Sequence, residues 1–536
     1  MIRYISTLLI LSWAALAVNA QVSVTTSRND NQRDGQNLNE TILTPANVNV
    51  NSFGKLFSHK ADGYVYAQPL YVPNVPIPKL GTHNVVYVAT EHDSVYAFDA
   101  DSDQGQNASA LWHRSFINPA KGITTVSSTD QDCTDIVPEM GVTSTPVIDP
   151  TANTMYVLTR TKENGIYRQR LHALDITTGK ERAHSPIIIT GKVKGTGDGS
   201  QGGFVHFDPF QEGNRPGLLL LNGEVYIGWA SYCDHDPWHS WIMSYDATAL
   251  TQTGVWNGTP NGSRGGVWQA GSGLAADDES DLYFATGNGT FDETTGGRDY
   301  GDSVMKLAPP VAKHLKVLDY FTPYNQAGLS GGDRDVGSGG VLILPDQGNK
   351  APHQHLLIAV GKEGSIYLID RDKMGHFHAK NNSQIVQDME GAIGGMFSTA
   401  TWWNNNVYFG GSKDFVRQYT FDPKTGLLST SAISESDTLF GFPGTSTSLS
   451  ANGTSNAILW ALEKTSTMGV TPAILHAYDA TNIATELYNS NQNASRDAAG
   501  NTVKFAVPTI ANGKVYVPAI DKISVYGLRG SAARKR

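Results

Sequence analysis

The sequence predicts an all-β protein folded as a single eight-bladed β-propeller. Three observations carry that expectation. The 536-residue chain is only 17% charged, with 55 glycines, 10 tryptophans and 22 tyrosines, a balance that favours strands and turns over helices. A unit of paired alternating strands recurs with a period of about 55 residues, the sequence mark of a repeat architecture. The last unit stops short of an outer strand, while a suitable segment precedes the first unit.

The clearest unit is the first. Val85 to Thr90 alternates, Glu91 to Ser94 turns, and Val95 to Asp99 alternates again before Leu111-Trp112. Period-two alternation of β-branched and aromatic residues marks each piece as a strand. Six further copies begin at Met155, Val225, Leu282, Leu356, Val407 and Ile458, and end near Asp175, Asp246, Leu307, Asp370, Asp422 and Asp479. The eighth runs from Val515 to Tyr526. A first strand precedes each copy, as at Thr145–Ile148, Gly217–Leu221 and Val341–Leu344. Four strands per unit make a propeller blade. Gly54 to Ser58 is expected to supply the missing outer strand, closing the ring and removing the sheet edge. Seven blades is the alternative count.

Outside the repeats, Arg3, the apolar run Leu8 to Val18 and the small residues up to Ala20 have the form of a secretory signal. Residues 1–20 are therefore expected to be a signal peptide, 21–528 the propeller, and 529–536 a basic, disordered tail. Export to the periplasm or cell exterior makes a disulfide between Cys133 and Cys233 plausible, with two buried thiols as the alternative. A net charge of −10 argues against nucleic acid and anionic membranes as partners. No second apolar run is long enough to span a bilayer. Eight Asn-x-Ser/Thr sequons, among them Asn257 and Asn288, do not fix the source.

In a propeller, the loops entering the blades share one face with the turns between second and third strands. Here the entering loops hold Cys133-Thr134-Asp135, Glu139, Arg264 to Trp268, Asp333-Arg334-Asp335 and Glu390. The turns hold Glu91-His92-Asp93, Asp234-His235-Asp236, Lys362-Glu363, Lys413-Asp414, Glu463-Lys464 and Asp521-Lys522. Most such charges are simply solvated, but carboxylates that converge beside the channel would hold a hard cation. His235 and His239 lie in a hairpin turn, where the i, i+4 spacing of a helical zinc site does not apply. No nucleophile elbow, phosphate loop or dinucleotide fingerprint occurs in the right context, and no Cys-x-x-Cys-His for covalent haem.

The chain resembles the quinoprotein alcohol dehydrogenase superfamily, eight-bladed propellers that carry pyrroloquinoline quinone (PQQ) and calcium. The likeness begins with Asn29 to Leu38, Gly54-Lys-Leu-Phe57 and Ala67-Gln-Pro-Leu-Tyr-Val72, and continues through blade ends such as Tyr96-Ala-Phe-Asp-Ala100 and Leu174-Asp-Ile-Thr-Thr-Gly-Lys180. It implies that Asn288, in Thr286-Gly-Asn-Gly289, ligates the metal, and that Asp335 is the catalytic base and a further ligand. It implies that Lys362 contacts the quinone oxygens and that Trp268 stacks on the cofactor ring. The types suit the chemistry: Ca²⁺ takes oxygen ligands, and a base must accept a hydroxyl proton while hydride leaves.

The sequence departs from the family pattern in three places. Where the family has a glutamate ligand, this chain offers Asp234 or Asp236. Where many members place two adjacent, bridged cysteines against the quinone, Cys133 stands beside Thr134; a Cys133–Cys233 bridge would fill similar space. Where many members have an arginine for a quinone carboxylate, this chain has Glu139, which would repel an anion.

The leading expectation is thus a secreted PQQ- and calcium-dependent dehydrogenase of alcohol or sugar hydroxyls, passing electrons to an external acceptor. The alternatives are a non-catalytic propeller that has lost the cofactor and serves as a binding scaffold, and a glycan-acting hydrolase or lyase. The last would use paired carboxylates with His235 or His239, and Trp238, Trp241, Trp402 and Trp403 along a sugar cleft.

Overall fold

The computed structural model describes residues 21–464 and 470–530. The expected signal segment and residues 531–536 of the expected tail lie outside the described residues. Eight sheets follow one another along the chain as blades of a propeller. Blade 1 pairs Leu70–Ile77, Gly81–Thr90, Ser94–Asp99 and Trp112–Ser115 in that order, each antiparallel to the last. The inner strands of blades 2 to 7 are Val147–Asp149, Leu219–Leu221, Ala275–Ala276, Val341–Ile343, Thr401–Trp403 and Ser448–Asn452.

Blade 8 closes the ring. Its inner strand Thr509–Ala511 pairs with the long Lys514–Leu528, and the latter pairs antiparallel with the N-terminal strand Phe53–Tyr64. The expected segment is indeed the outer strand: Lys55 faces Tyr526 and Ser58 faces Ser524. Closure leaves neither end of the ring as an open sheet edge.

The period-two pattern explains the core. Alternating residues of each strand pack into the gap between adjacent blades, so apolar clusters sit between sheets. One cluster joins Tyr87 and Trp112 of blade 1 to Met155 and Val157 of blade 2. Another sets Trp229 and Trp241 of blade 3 against Tyr156 and Leu158.

Two features lie outside the repeat. A hairpin of Lys192–Lys194 and Phe204–His206 covers the rim at blade 3. The segment preceding the first blade runs around the inside of the ring. Thr25, Asn31, Gln32, Asp34 and Gly35 carbonyls accept the amides of Ile148, Ala276, Ile343, Trp402 and Leu449, at 2.8 to 3.0 Å. Val24 exchanges both backbone bonds with Tyr71. The Asn31 and Asn37 amides reach Leu220 and Ile510 carbonyls at 3.2 and 3.1 Å. One strand thus touches all eight inner strands and fills the channel at the end away from the entering loops.

Candidate functional site

The entering loops converge on a cavity of about 560 Å³ at the opposite mouth of the channel, lined among others by Thr134, Cys233, Asp234, Trp268, Asp335 and Lys362. Five of the sequence-predicted residues, Thr134, Asp234, Trp268, Asp335 and Lys362, therefore meet in one place. Cys133 reaches it through a disulfide to Cys233, with the two Cα atoms 6.0 Å apart. The bridge ties the loop entering blade 2 to the second turn of blade 3. There Cys233 and Asp234 both adopt left-handed backbone, at φ 52° and 51°.

Asp335 is held from three sides. The Asn288 amide N–H donates to its Oδ1 at 2.7 Å, and the Lys362 ammonium lies 2.6 Å from its Oδ2. The Lys362 backbone N–H bonds the Asp335 carbonyl at 2.9 Å. Gly287 makes this approach feasible, since a Cβ there would lie 2.1 Å from Asp335 Oδ1 and 3.0 Å from Trp268 Cδ1. That is the physical reason for the glycine of the Thr-Gly-Asn turn.

Lys362 also contacts Asp333 Oδ1 at 2.6 Å. Burial pulls its ammonium down, but Asp335 and Asp333 outweigh burial and hold it above its ordinary value. Burial, then repulsion from Asp335, pushes the Asp234 carboxyl up. The same two causes push up Asp302, a neighbour absent from the sequence prediction, whose Oδ1 accepts the Val336 amide at 3.1 Å.

The donor set leaves two buried oxygens for a hard cation. Asn288 is only 9% exposed; its Nδ2 donates to Asp333 Oδ1 at 2.9 Å, so its Oδ1 is turned the other way and has no partner. Asp302 Oδ2 is likewise buried and unpartnered. Orphaned buried oxygens are costly and call for a partner. Among the described residues no three His, Cys, Asp and Glu side chains gather into a metal site by themselves. A cation here would need the Asn288 carbonyl and oxygens of a bound ligand to complete its shell.

Three basic side chains surround the pocket, of which only Lys362 was foreseen. Arg215, 9% exposed, pairs with Asp135 and lies 5.1 Å above the Trp268 ring centre. Its Nε is buried without a partner, as is Trp268 Nε1. Lys504 also contacts Asp135, while burial and the nearby Arg215 and Lys464 pull its amine down to about 6. Both residues had a readable signal. Arg215 lies in the loop entering blade 3, and Lys504 in the loop entering blade 8, the positions that supply Cys133 and Trp268 elsewhere.

Two predicted features fall away from the pocket. Asp236 turns to Arg264, whose Nε donates to its Oδ1 at 2.9 Å, and so takes no part with Asn288. Of the two candidate carboxylates only Asp234 reaches the cavity. Glu139 sits on a short strand where His92 Nδ1 and Thr125 Oγ1 bond it at 2.7 and 2.6 Å, and it does not line the cavity. The expected repulsion of an anion by Glu139 is thereby removed, and Arg215 presents the opposite charge. His239 has both ring nitrogens engaged, by Thr259 Oγ1 at 3.0 Å and the Asp198 carbonyl at 2.9 Å. Trp238, Trp241, Trp402 and Trp403 are all interior. His239 and the four tryptophans named for a glycan-cleaving site thus pack the core, while His235 is exposed on the turn.

Solved structures match this architecture over nearly the whole chain. A quinohemoprotein alcohol dehydrogenase from Comamonas testosteroni superposes with a TM-score of 0.59 at 14% identity, covering 96% of this chain and 81% of that one. Quinohemoprotein alcohol dehydrogenase ADHIIG from Pseudomonas putida HK5 gives 0.56 at 14%, covering 95% and 81%. The chain has the fold of the quinoprotein dehydrogenases. A europium-containing methanol dehydrogenase gives 0.59 at 11%, covering 94% and 98%. No family model and no curated protein matches the sequence. At such identities the likeness establishes the propeller and nothing finer. Among the described residues no helix is long and apolar enough to cross a membrane.

Proposed function

We propose that this protein is a PQQ- and Ca²⁺-dependent dehydrogenase of alcohol or sugar hydroxyls, exported by residues 1–20 and passing electrons to an external acceptor. One arrangement carries the reading: Asp335 and Trp268 line one pocket with three basic side chains, Lys362 among them, and Asn288, bonded to Asp335 behind the wall, keeps an unpartnered Oδ1. Asn288, Asp335 and Asp234 would hold the metal. Trp268 would lie against the flat ring, and Arg215, Lys504 and Lys362 would meet its carboxylates. When bound, the pair supplies a hydride acceptor polarised by a hard cation.

The chain's own part is to bind, orient and take a proton. Asp335 has one oxygen fixed by the Asn288 amide, which leaves Oδ2 to receive the substrate's hydroxyl proton. The Lys362 ammonium beside Oδ2 balances the carboxylate charge before the proton arrives. Phe397, Phe442 and Phe505 wall the cavity, and Phe397 and Phe442 meet edge-on at 5.2 Å. This apolar wall would exclude water and seat the carbon skeleton of a small substrate.

A second reading has its own observation. Lys362 already bridges Asp333 and Asp335, and Arg215 already covers a Trp268 face, so the pocket is charge-balanced without a cofactor. This favours a binding propeller. Reconstitution separates the two: with Ca²⁺, PQQ should bind saturably and shift the quinone absorbance. Dye reduction by alcohols or sugars should follow. Asn288→Ala should weaken uptake about tenfold or more, and Asp335→Asn should retain uptake but lose turnover by two or more orders of magnitude. Absence of saturable uptake would leave the binding propeller.

A further inference from the structure

A second large cavity, of about 580 Å³, opens on the rim of the propeller rather than at the channel. Its roof is the hairpin Lys192–Lys194 and Phe204–His206, its floor the outer strand Gln252–Asn257 of blade 3, and its far wall comes from blade 4. None of its lining residues belongs to the central pocket.

The roof is fixed in place. The Gly197 and Asp198 amides donate to the Pro260 and Gly262 carbonyls at 2.9 and 2.8 Å. At Gly195 a Cβ would lie 1.9 Å from the Pro260 carbonyl oxygen, so only glycine permits this docking. Across the gap, Arg298 Nη2 donates to the Lys194 carbonyl at 3.0 Å. The cavity is therefore preformed and bordered by chain on three sides.

Its charge is one-sided. Lys192, Lys194, Arg298 and His314 line it, and among the described residues no carboxylate does. A chain with a net charge of −10 has nevertheless gathered basic side chains here. The interior is aromatic: Trp256 is 8% exposed on the floor, Tyr300 and Phe204 are half-buried, and Lys192 Nζ lies 4.8 Å from the Phe204 ring centre. At the end of the floor strand stands Asn257, 5% exposed. Its Oδ1 accepts the Thr259 amide at 3.0 Å, while its Nδ2 is buried with no partner. An orphaned donor in a cavity wall is a hydrogen bond kept for something that enters.

We propose that this cleft binds an acidic oligosaccharide, a chain of uronate sugars. Aromatic rings take the apolar faces of pyranoses, the Asn257 amide takes a ring hydroxyl or carboxylate oxygen, and the basic rim takes the repeated carboxylates. The cleft has no helix N-terminus or glycine-rich phosphate cradle, which separates it from a nucleotide site.

The test is calorimetric titration of the full-length purified protein with trigalacturonate, beside maltotriose and inorganic phosphate. Lys192 and Lys194 are solvent-exposed, so Lys192→Glu/Lys194→Glu should keep the fold, checked by circular dichroism. Saturable trigalacturonate binding is expected, with no heat from maltotriose and with affinity lowered about tenfold or more by the double charge reversal. Asn257→Ala should weaken binding at unchanged salt dependence. Absence of saturation, indifference to the charge reversal, or equal binding of phosphate would each overturn the proposal.

Discussion

At the residue scale, buried carboxyls make pH-sensitive statements. Glu91 occupies the second turn of blade 1 and is fully buried; its Oε2 accepts from the Gly141 amide and the Thr143 hydroxyl at 2.8 and 3.0 Å, while Oε1 has no partner. Burial pushes its carboxyl up to about 7 from an ordinary 4.5. Between those values the folded protein holds a proton that the unfolded chain has lost, so stability falls as pH rises through the window and stays low above it. Glu91→Gln should therefore raise the unfolding free energy at about pH 8, by on the order of 3 kcal/mol, and change it little near pH 4.5. Thermal melts at the two pH values check this; equal gains at both would sink it. The same turn shows what sequence can and cannot reveal. Placement of Glu91, Asp335 and Lys362 on the channel face follows from their loop and turn positions in the repeat, and that of Asn288 from the family resemblance alone. Which of them face solvent and which are entombed depends on neighbours from other blades, such as Gly141, and no local pattern encodes those. Arg215 escaped notice for the converse reason: its loop was readable, but its charge lies alone in Asn214-Arg-Pro-Gly217 with no companion in sequence.

At the scale of elements, the strands were legible because each repeat buries one face against the next blade, which enforces period two. The segment before the first blade was not, since it has no repeat and little alternation. Its order comes from backbone bonds to six of the inner strands, side-chain bonds to the other two, and two interior arginines, Arg28 and Arg33. Arg33 is fully buried: Nε donates to the Leu274 carbonyl at 2.8 Å, and Nη1 serves Thr26 Oγ1 and the Ser27 and Asp30 carbonyls at 2.7 to 2.9 Å. Burial draws its guanidinium down to about 10, still charged at neutral pH. Arg33→Met would strand several buried acceptors at once, and a loss of about 3 kcal/mol or more is expected. Arg168, partly exposed with Glu163 3.9 Å away, is the control, and Arg168→Met should cost under about 1 kcal/mol. Denaturant titration compares them, and equal losses would show that the inner segment is only draped over the blades. The rim hairpin at Lys192 was missed because its strands are short and lie between two repeats.

At the scale of the molecule, stability hangs on one seam. Seven blades are formed from contiguous sequence, so their pairings close short loops. Blade 8 joins Phe53–Tyr64 to Lys514–Leu528, which brings together residues from opposite ends of the chain. Loop-closure entropy makes such a joint the most expensive one to form, and opening it would expose two sheet edges at once. The ring should therefore yield first at this seam. Ser58 and Ser524 offer a way to lock it, since they face each other in register with hydroxyls 3.3 Å apart, although 466 positions separate them along the chain. In an antiparallel ladder that places the Cβ atoms near disulfide range. Ser58→Cys/Ser524→Cys, oxidised, removes the closure entropy of nearly the whole chain. The chain-entropy relation puts the gain at up to about 6 kcal/mol, more than a bridge within one blade provides. The measurement is the thermal midpoint of the oxidised against the reduced double variant. A rise confined to the oxidised form identifies the seam as the site of initial unfolding. An unchanged midpoint, with the bridge verified by mass, would mean that a blade interior gives way first and that the inner segment, not the closing strand, holds the ring together.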